Sequence, residues 1–290
     1  MKYQSWPICL PIWLWCLTVS LTTLTADPPP PESASISASN ISVVPFAVPA
    51  LRNLSPAWQS WEVRTVKGPR FVFRLHLPQS QRPVKPLGLL VYLDGSGSAG
   101  YDNIQQMRHP KMNALFEGPN AIPLVVLVPQ IPDMDSWDAL VWSGGPKPLT
   151  ASAGPAPYLQ LLMALIQKIS AGGWIDPTRI IIAGHSLGAF GALDAVIHYP
   201  GRFSACVAMA GGSDPEALSR SAGKTRILLF HGRLDNNVPF DFSARLAQGL
   251  QGKDIQLIEF PEAGHGIVEL VIKHPVFRKL LSDLVDDSLP

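Results

Sequence analysis

The chain has 290 residues, of which 47% are apolar and 16% charged, with a formal net charge of +1. That composition supports a sizeable buried core and excludes disorder for most of the chain. The balanced charge, without a basic block, leaves no electrostatic footprint for a nucleic-acid partner.

Residues 1–26 read as a secretory signal peptide: Lys2, an apolar, Trp-rich run from Trp6 to Leu24, then small and hydroxyl residues up to Ala26. Pro7 and Pro11 interrupt that run and make it marginal for a spanning helix. Cleavage after Ala26 would give a secreted, periplasmic or cell-envelope protein, whereas an uncleaved leader would act as a membrane tether. Of three cysteines, only Cys206 would remain, so no internal disulfide is expected. In FSACVAMA it reads as a small core residue. No Cys/His spacing suggests a metal site. Residues 27–57, rich in Pro, Ser and Ala, read as a linker ending in extended segments. The globular domain is expected over residues 58–290.

Within that domain, WEVRTV and RFVFRLHL suggest an antiparallel pair around KGP. LGLLVYL and PLVVLVP are continuous apolar runs, the mark of strands buried on both faces. Residues 101–116 have helical character, with Pro110 as a break. YLQLLMALIQKIS (158–170) carries helical periodicity and stops at Gly172-Gly173. RIIIAG, SACVAMAG, RILLFHG and IQLIEF read as strands. SLGAFGALDAVIHY and FDFSARLAQGLQG read as helices, as does the tail from Ile267, with Pro275 breaking it. This alternation predicts an α/β fold: a mostly parallel sheet of about eight strands with helices on both faces. Functional residues in such sheets gather at the carboxyl ends of the strands.

One turn stands out. In AGHSLGAF (183–190), Ser186 lies between the end of a buried strand and the start of a helix. A reversal this sharp strains the serine backbone and leaves no room for side chains two positions away, which accounts for Gly184 and Gly188. It also sets the hydroxyl above a helix amino terminus, where developing negative charge is stabilised. The five-residue pattern alone would occur by chance in about one chain in ten of this length, so its context carries the weight. A serine needs a base, and His265, in FPEAGHG directly after the last strand, is placed to be one. Asp235, in FHGRLDNNVP after the preceding strand, is placed to orient it; a turn-capping role is its alternative. Asp214 reads as a helix cap and Asp241 as the start of a helix. His231 reads as structural or as support behind the site residues, and His185 is expected to point away from the serine. The order Ser186, Asp235, His265 matches that of strand–turn–helix serine hydrolases.

Together, VYLDGSGSAGYDN, VVLVPQIP with Trp137, IDPTRIIIAGHSLGAFGAL, YPGRFSACVAMAGG, HGRLDNNVP and PEAGHG resemble the α/β-hydrolase superfamily. More closely, they resemble the esterase and predicted-peptidase group related to polyhydroxyalkanoate depolymerases, feruloyl esterases and phospholipase/carboxylesterase enzymes. The likeness covers about residues 60–286. It implies Ser186 as nucleophile, His265 as base, Asp235 as its partner, and hydrolysis of a small-molecule ester or acylated substrate without cofactor or metal. Where this group usually has His-Gly after the third strand, the chain has Asp94-Gly95. The expected oxyanion donors are the backbone N–H groups of Ser96 and Leu187. Asp94 should either face away, paired with an arginine or an amide, or depress activity. A peptidase with the same triad is the nearest rival; a non-catalytic binding protein or a tethered envelope protein are others. Trp137 and Trp142, on the long connection DSWDALVWSGGPKP, could wall a substrate pocket or cover the core.

Overall fold

The computed structural model describes residues 36–48, 54–78, 85–138, 140 and 149–286. The expected leader, much of the expected linker and Trp142 lie outside them. All of these residues belong to one compact unit, residues 35–290.

Nine strands form a single sheet in the order β1-β2-β3-β5-β4-β6-β7-β8-β9. They are β1 (Ile41–Pro45), β2 (Trp58–Thr65), β3 (Arg70–His76), β4 (Leu87–Leu93), β5 (Val125–Gln130), β6 (Ile175–His185), β7 (Ala205–Met209), β8 (Arg226–Gly232) and β9 (Ile255–Phe260). The pairings β1–β2, β2–β3 and β3–β5 are antiparallel, and all pairings from β5–β4 through β8–β9 are parallel. The sheet thus has one strand more than expected. The extra strand, β1, lies inside the stretch read as linker, so the boundary at residue 58 falls too late. Its sequence, ISVVP, is short and only half buried, and edge pairing to β2, rather than an apolar run, defines it.

The helices are α1 (Pro110–Asn113), α2 (Pro157–Ser170), α3 (Leu187–His198), α4 (Pro215–Ser221), α5 (Asp241–Gly249), α6 (Val268–Lys273) and α7 (Pro275–Val285). Alternation along β4 sorts the core into two layers. Leu89, Val91 and Leu93 pack with side chains of α2 to α5, while Leu90 and Tyr92 pack with α6, α7 and the segment around α1. Helices therefore cover both faces, as expected for central strands buried on each side. The segment expected as one helix over 101–116 instead divides into a 3-10 turn at Gln105–Met107, α1, and a second 3-10 turn at Ala114–Phe116. Pro110 begins α1, where its missing N–H costs nothing. Pro275 likewise separates α6 from α7. Among the described residues, no helix is long and apolar enough to cross a membrane.

Parallel strand order reverses at β5-β4-β6. Loops leaving neighbouring strands there diverge to opposite faces, opening a crevice at their carboxyl ends.

Candidate active site

Ser186 caps α3 with φ 54° and ψ −121°. A non-glycine residue held there costs on the order of 1–3 kcal/mol, strain that the packed surroundings must enforce. They do so through close backbone approach. A Cβ on Gly184 would lie 2.1 Å from the Gly188 carbonyl oxygen, and one on Gly188 would lie 1.9 Å from the Leu93 carbonyl oxygen. Any side chain at either position would drive β6, α3 and β4 apart. The Ser186 N–H is anchored to the Met209 carbonyl of β7 at 2.9 Å.

His265 follows β9, and its Nδ1 lies 2.8 Å from Asp235 Oδ2. With Nδ1 donating to that carboxylate, Nε2 is the unprotonated nitrogen of the neutral ring. Asp235 is itself fixed: its Oδ1 accepts from the amides of Asn237 at 2.8 Å and Val238 at 2.9 Å. Burial alone would raise its carboxyl pKa. The hydrogen bonds from His265 and the two amides outweigh burial and hold it below the ordinary range. The structural reading of His231 fits its surroundings, since its Nδ1 contacts Ser243 Oγ at 2.7 Å and its Nε2 contacts the Val238 carbonyl at 3.0 Å. Asp214 caps α4 through the amides of Glu216 and Ala217, and Asp241 is the first residue of α5.

His185 does not point away. Its ring packs on that of His265, with centroids 4.8 Å apart, and its Nε2 donates to the His265 carbonyl at 2.9 Å. Burial lowers its pKa to about 4, so it remains neutral well into the acid range.

The loop after β4 carries the other half of the site. Asp94 is buried, and its carboxylate is saturated. Oδ2 accepts from Arg108 Nε at 3.0 Å; Oδ1 accepts from the Gly95 amide at 2.8 Å and meets His109 Nε2 at 3.2 Å. Burial would raise its pKa, but His109, Arg108 and the Gly95 amide together lower it. Asp94 is therefore a paired anion beneath the loop. Because Gly95 N–H is spent on Asp94, Ser96 supplies the next N–H of the loop. Ser96 opens the 3-10 turn Ser96–Ser98, as Leu187 opens α3. First-turn N–H groups lack intrahelical acceptors, so the two amide positions expected as donors are both helix starts at the cavity beside Ser186. A buried network ties this loop to the sheet. Gln130 on β5 receives the Asn103 amide at 2.7 Å and donates to Ser98 O at 3.1 Å, while Arg74 on β3 donates to Asn103 O at 2.9 Å.

Ser96, His185, Ser186, Leu187 and His265 line one cavity of about 680 Å³, with Arg108, Ser136, Asp138 and Phe190 completing much of its wall. Trp137 is a correction: it is fully buried, 5.6 Å from the Phe71 ring and packed against Gly191. Its flanking residues Ser136 and Asp138 face the cavity instead. The long connection was the right place, and the large apolar ring goes to the core because burial is its largest gain. The sequence reading missed Arg108 and His109. The signal that could have found them is Asp94 itself: a carboxylate closing a fully apolar strand needs cationic or N–H partners nearby.

Residues 80–273, more than half of the chain, match the family described as phospholipase/carboxylesterase. The chain is 26% identical over 230 residues to NocK, a candidate esterase of Nocardia uniformis subsp. tsuyamanensis, covering 78% of this chain and 63% of that protein. It is 28% identical over 123 residues to a probable carboxylesterase of Oryza sativa subsp. japonica, covering 40% of this chain and 51% of that one. It thus spans less than two thirds of these relatives. Among solved structures, a thermostable esterase superposes with a TM-score of 0.64 at 23% identity, over 85% of this chain and 63% of its own. Esterase PE8 superposes with a TM-score of 0.51 at 22% identity, over 75% of this chain and 98% of its own. At these identities the superpositions establish the α/β-hydrolase fold.

Proposed function

Because the chain belongs to the phospholipase/carboxylesterase family of the α/β-hydrolase superfamily, we propose that it is an exported serine esterase acting on small-molecule carboxylic esters or acylated substrates. One observation carries the reading. A backbone-strained Ser186 shares a cavity with His265, which is hydrogen-bonded to Asp235, at the carboxyl ends of β6, β8 and β9.

In this mechanism His265 Nε2 takes the hydroxyl proton as Ser186 Oγ attacks the ester carbonyl. The tetrahedral oxyanion accepts from the N–H groups of Ser96 and Leu187, aimed where charge develops. His265 then gives its proton to the leaving alcohol, the carbon–oxygen ester bond breaks, and an acyl-serine remains. Water, deprotonated by the same imidazole, attacks the acyl carbon and releases the acid. Asp235, held ionised by its amide partners, keeps the His265 tautomer and stabilises the imidazolium. Asp94, where the family has histidine, is paired with Arg108 and His109 and so gives no support to a non-catalytic reading.

The test is hydrolysis of short-chain p-nitrophenyl esters by the purified chain beside Ser186→Ala. Turnover that the substitution abolishes supports a serine esterase; no turnover by folded wild type overturns it. Export rests on the leader sequence. Mass analysis of the product from fractionated cells should find residues 1–26 removed, and a membrane-bound, full-length chain would mean a tether instead.

A further inference from the structure

Arg108 has no task in the mechanism above, yet its guanidinium faces the reaction cavity. It follows the 3-10 turn Gln105–Met107, and its Nε is spent on Asp94 Oδ2 at 3.0 Å. Nη1 and Nη2 have no hydrogen-bond partner among the described residues. Nη1 lies over the oxyanion loop, 2.6 Å from where a Cβ on Gly97 would stand. Two residues earlier in that loop, a Cβ on Gly95 would stand 3.1 Å from the Cβ of Ser186. The same short loop thus touches Arg108 at Gly97 and Ser186 at Gly95, and both side chains line one cavity. Roughly a third of the side chain is exposed, and the residue lines the cavity.

The other charge on the wall is Asp138, and it is already occupied. Its Oδ2 accepts from Ser136 Oγ at 2.8 Å and its Oδ1 from the Leu140 amide at 3.1 Å. Burial, only partly offset by those bonds, raises its pKa. The cavity therefore offers the two Nη groups of a permanent cation, with Nε held by Asp94. A planar fork of this kind matches a carboxylate in a bidentate pair. Gly97 supports the same reading, because a methyl group there would push the fork from its place.

We propose that Arg108 is a specificity residue that selects esters bearing a free carboxylate near the scissile bond, as in half-esters of dicarboxylic acids or acylated hydroxy acids. The proposal rests on the esterase reading of the same cavity. The anionic group sits on Nη1 and Nη2, while Ser186 attacks the neutral ester carbonyl of the same molecule.

The experiment compares matched esters by acid release at constant pH and ionic strength. Monoethyl adipate is set against ethyl hexanoate for a carboxylate on the acyl side, and butyryloxyacetate against propyl butyrate for one on the alcohol side. Wild type should favour at least one carboxylated member, and Arg108→Gln should lower that kcat/KM ratio by about tenfold or more, as expected for a lost charge-assisted bond. Arg108→Lys, which keeps the charge without the fork, should fall between. Turnover of the neutral esters with no preference for either carboxylated partner, or a ratio unchanged in Arg108→Gln, overturns the proposal. A separate arm needs no turnover: binding of monoethyl adipate to Ser186→Ala, read by calorimetry, should be lost on adding Arg108→Gln. Equal affinity in both overturns the proposal, whereas failure to hydrolyse any ester counts against the esterase reading alone.

Discussion

Asp235 and Asp94 each stand behind residues that line the same cavity, His265 for one and Arg108 for the other. Each is buried, each takes backbone amide protons on Oδ1, and each has a histidine nitrogen within 3.2 Å. They differ in what stands on the far side. Asp235 holds an imidazole whose other nitrogen, in the proposed mechanism, transfers the proton. Asp94 holds, besides His109, a guanidinium that cannot give up its proton. The same device, a desolvated carboxylate, thus fixes a movable proton in one place and a permanent charge in the other. Substitutions that treat the two aspartates alike should therefore give unlike results.

The largest effect is expected for Asp235→Asn. The amide cannot enforce the His265 tautomer, so kcat on a p-nitrophenyl ester should fall about 10³–10⁴-fold. The thermal midpoint should change far less than activity. An equal loss in both would place Asp235 with Asp94 as a purely structural anion.

Asp94→Asn should show the reverse balance. Arg108 is left without its counter-ion, and stability should drop by about 2 kcal/mol, discounted for the exposure of the guanidinium. The sign with pH follows from the lowered Asp94 pKa. The ionised carboxylate stabilises the fold above the unfolded-state pKa of about 3.9, and this contribution is lost as pH falls through the folded-state value. Melting curves of wild type and Asp94→Asn should accordingly converge below about pH 4. Curves that stay parallel would mean that the Asp94 charge contributes nothing.

His185 offers a milder test. Because burial lowers its pKa to about 4, the unfolded chain binds more protons between about pH 6.5 and 4. Wild type should lose stability across that window as the pH falls, and His185→Gln, which can keep a donor for the His265 carbonyl, should flatten the slope. An unaltered slope in urea midpoints would assign it to other groups.

The smallest effect is expected for Gly97→Ala. The clash is with the far end of a flexible side chain, so stability should change by under about 1 kcal/mol. The kcat/KM ratio of carboxylated to neutral esters should nevertheless fall, because the Arg108 fork moves.

How much of this was legible in the sequence varies with the range of the interaction responsible. Local signals located β4 to β9, the strained turn at Ser186 and the loops that bring Asp235 to His265, because strand periodicity, Gly184 and Gly188, and loop positions after strands are all encoded within a few residues. Packing decisions were not legible. ISVVP becomes β1 only because the edge of β2 is available to pair. Trp137 turns inward because Phe71 and Gly191 leave a ring-sized space, a contact between residues more than fifty positions apart.

Hydrophobic alternation and steric exclusion act locally along the chain, and together they specify a doubly covered, mostly parallel sheet with a strained serine turn. Where Asp94, Arg108 and Trp137 end up is settled in three dimensions: Asp94 is paired beneath the loop with Arg108 and His109, and Arg108 rather than Trp137 lines the cavity. Those outcomes depend on where β4, the 3-10 turn before Arg108 and the start of α3 meet in space. Electrostatic pairing acts through that space, and no spacing along the chain records it.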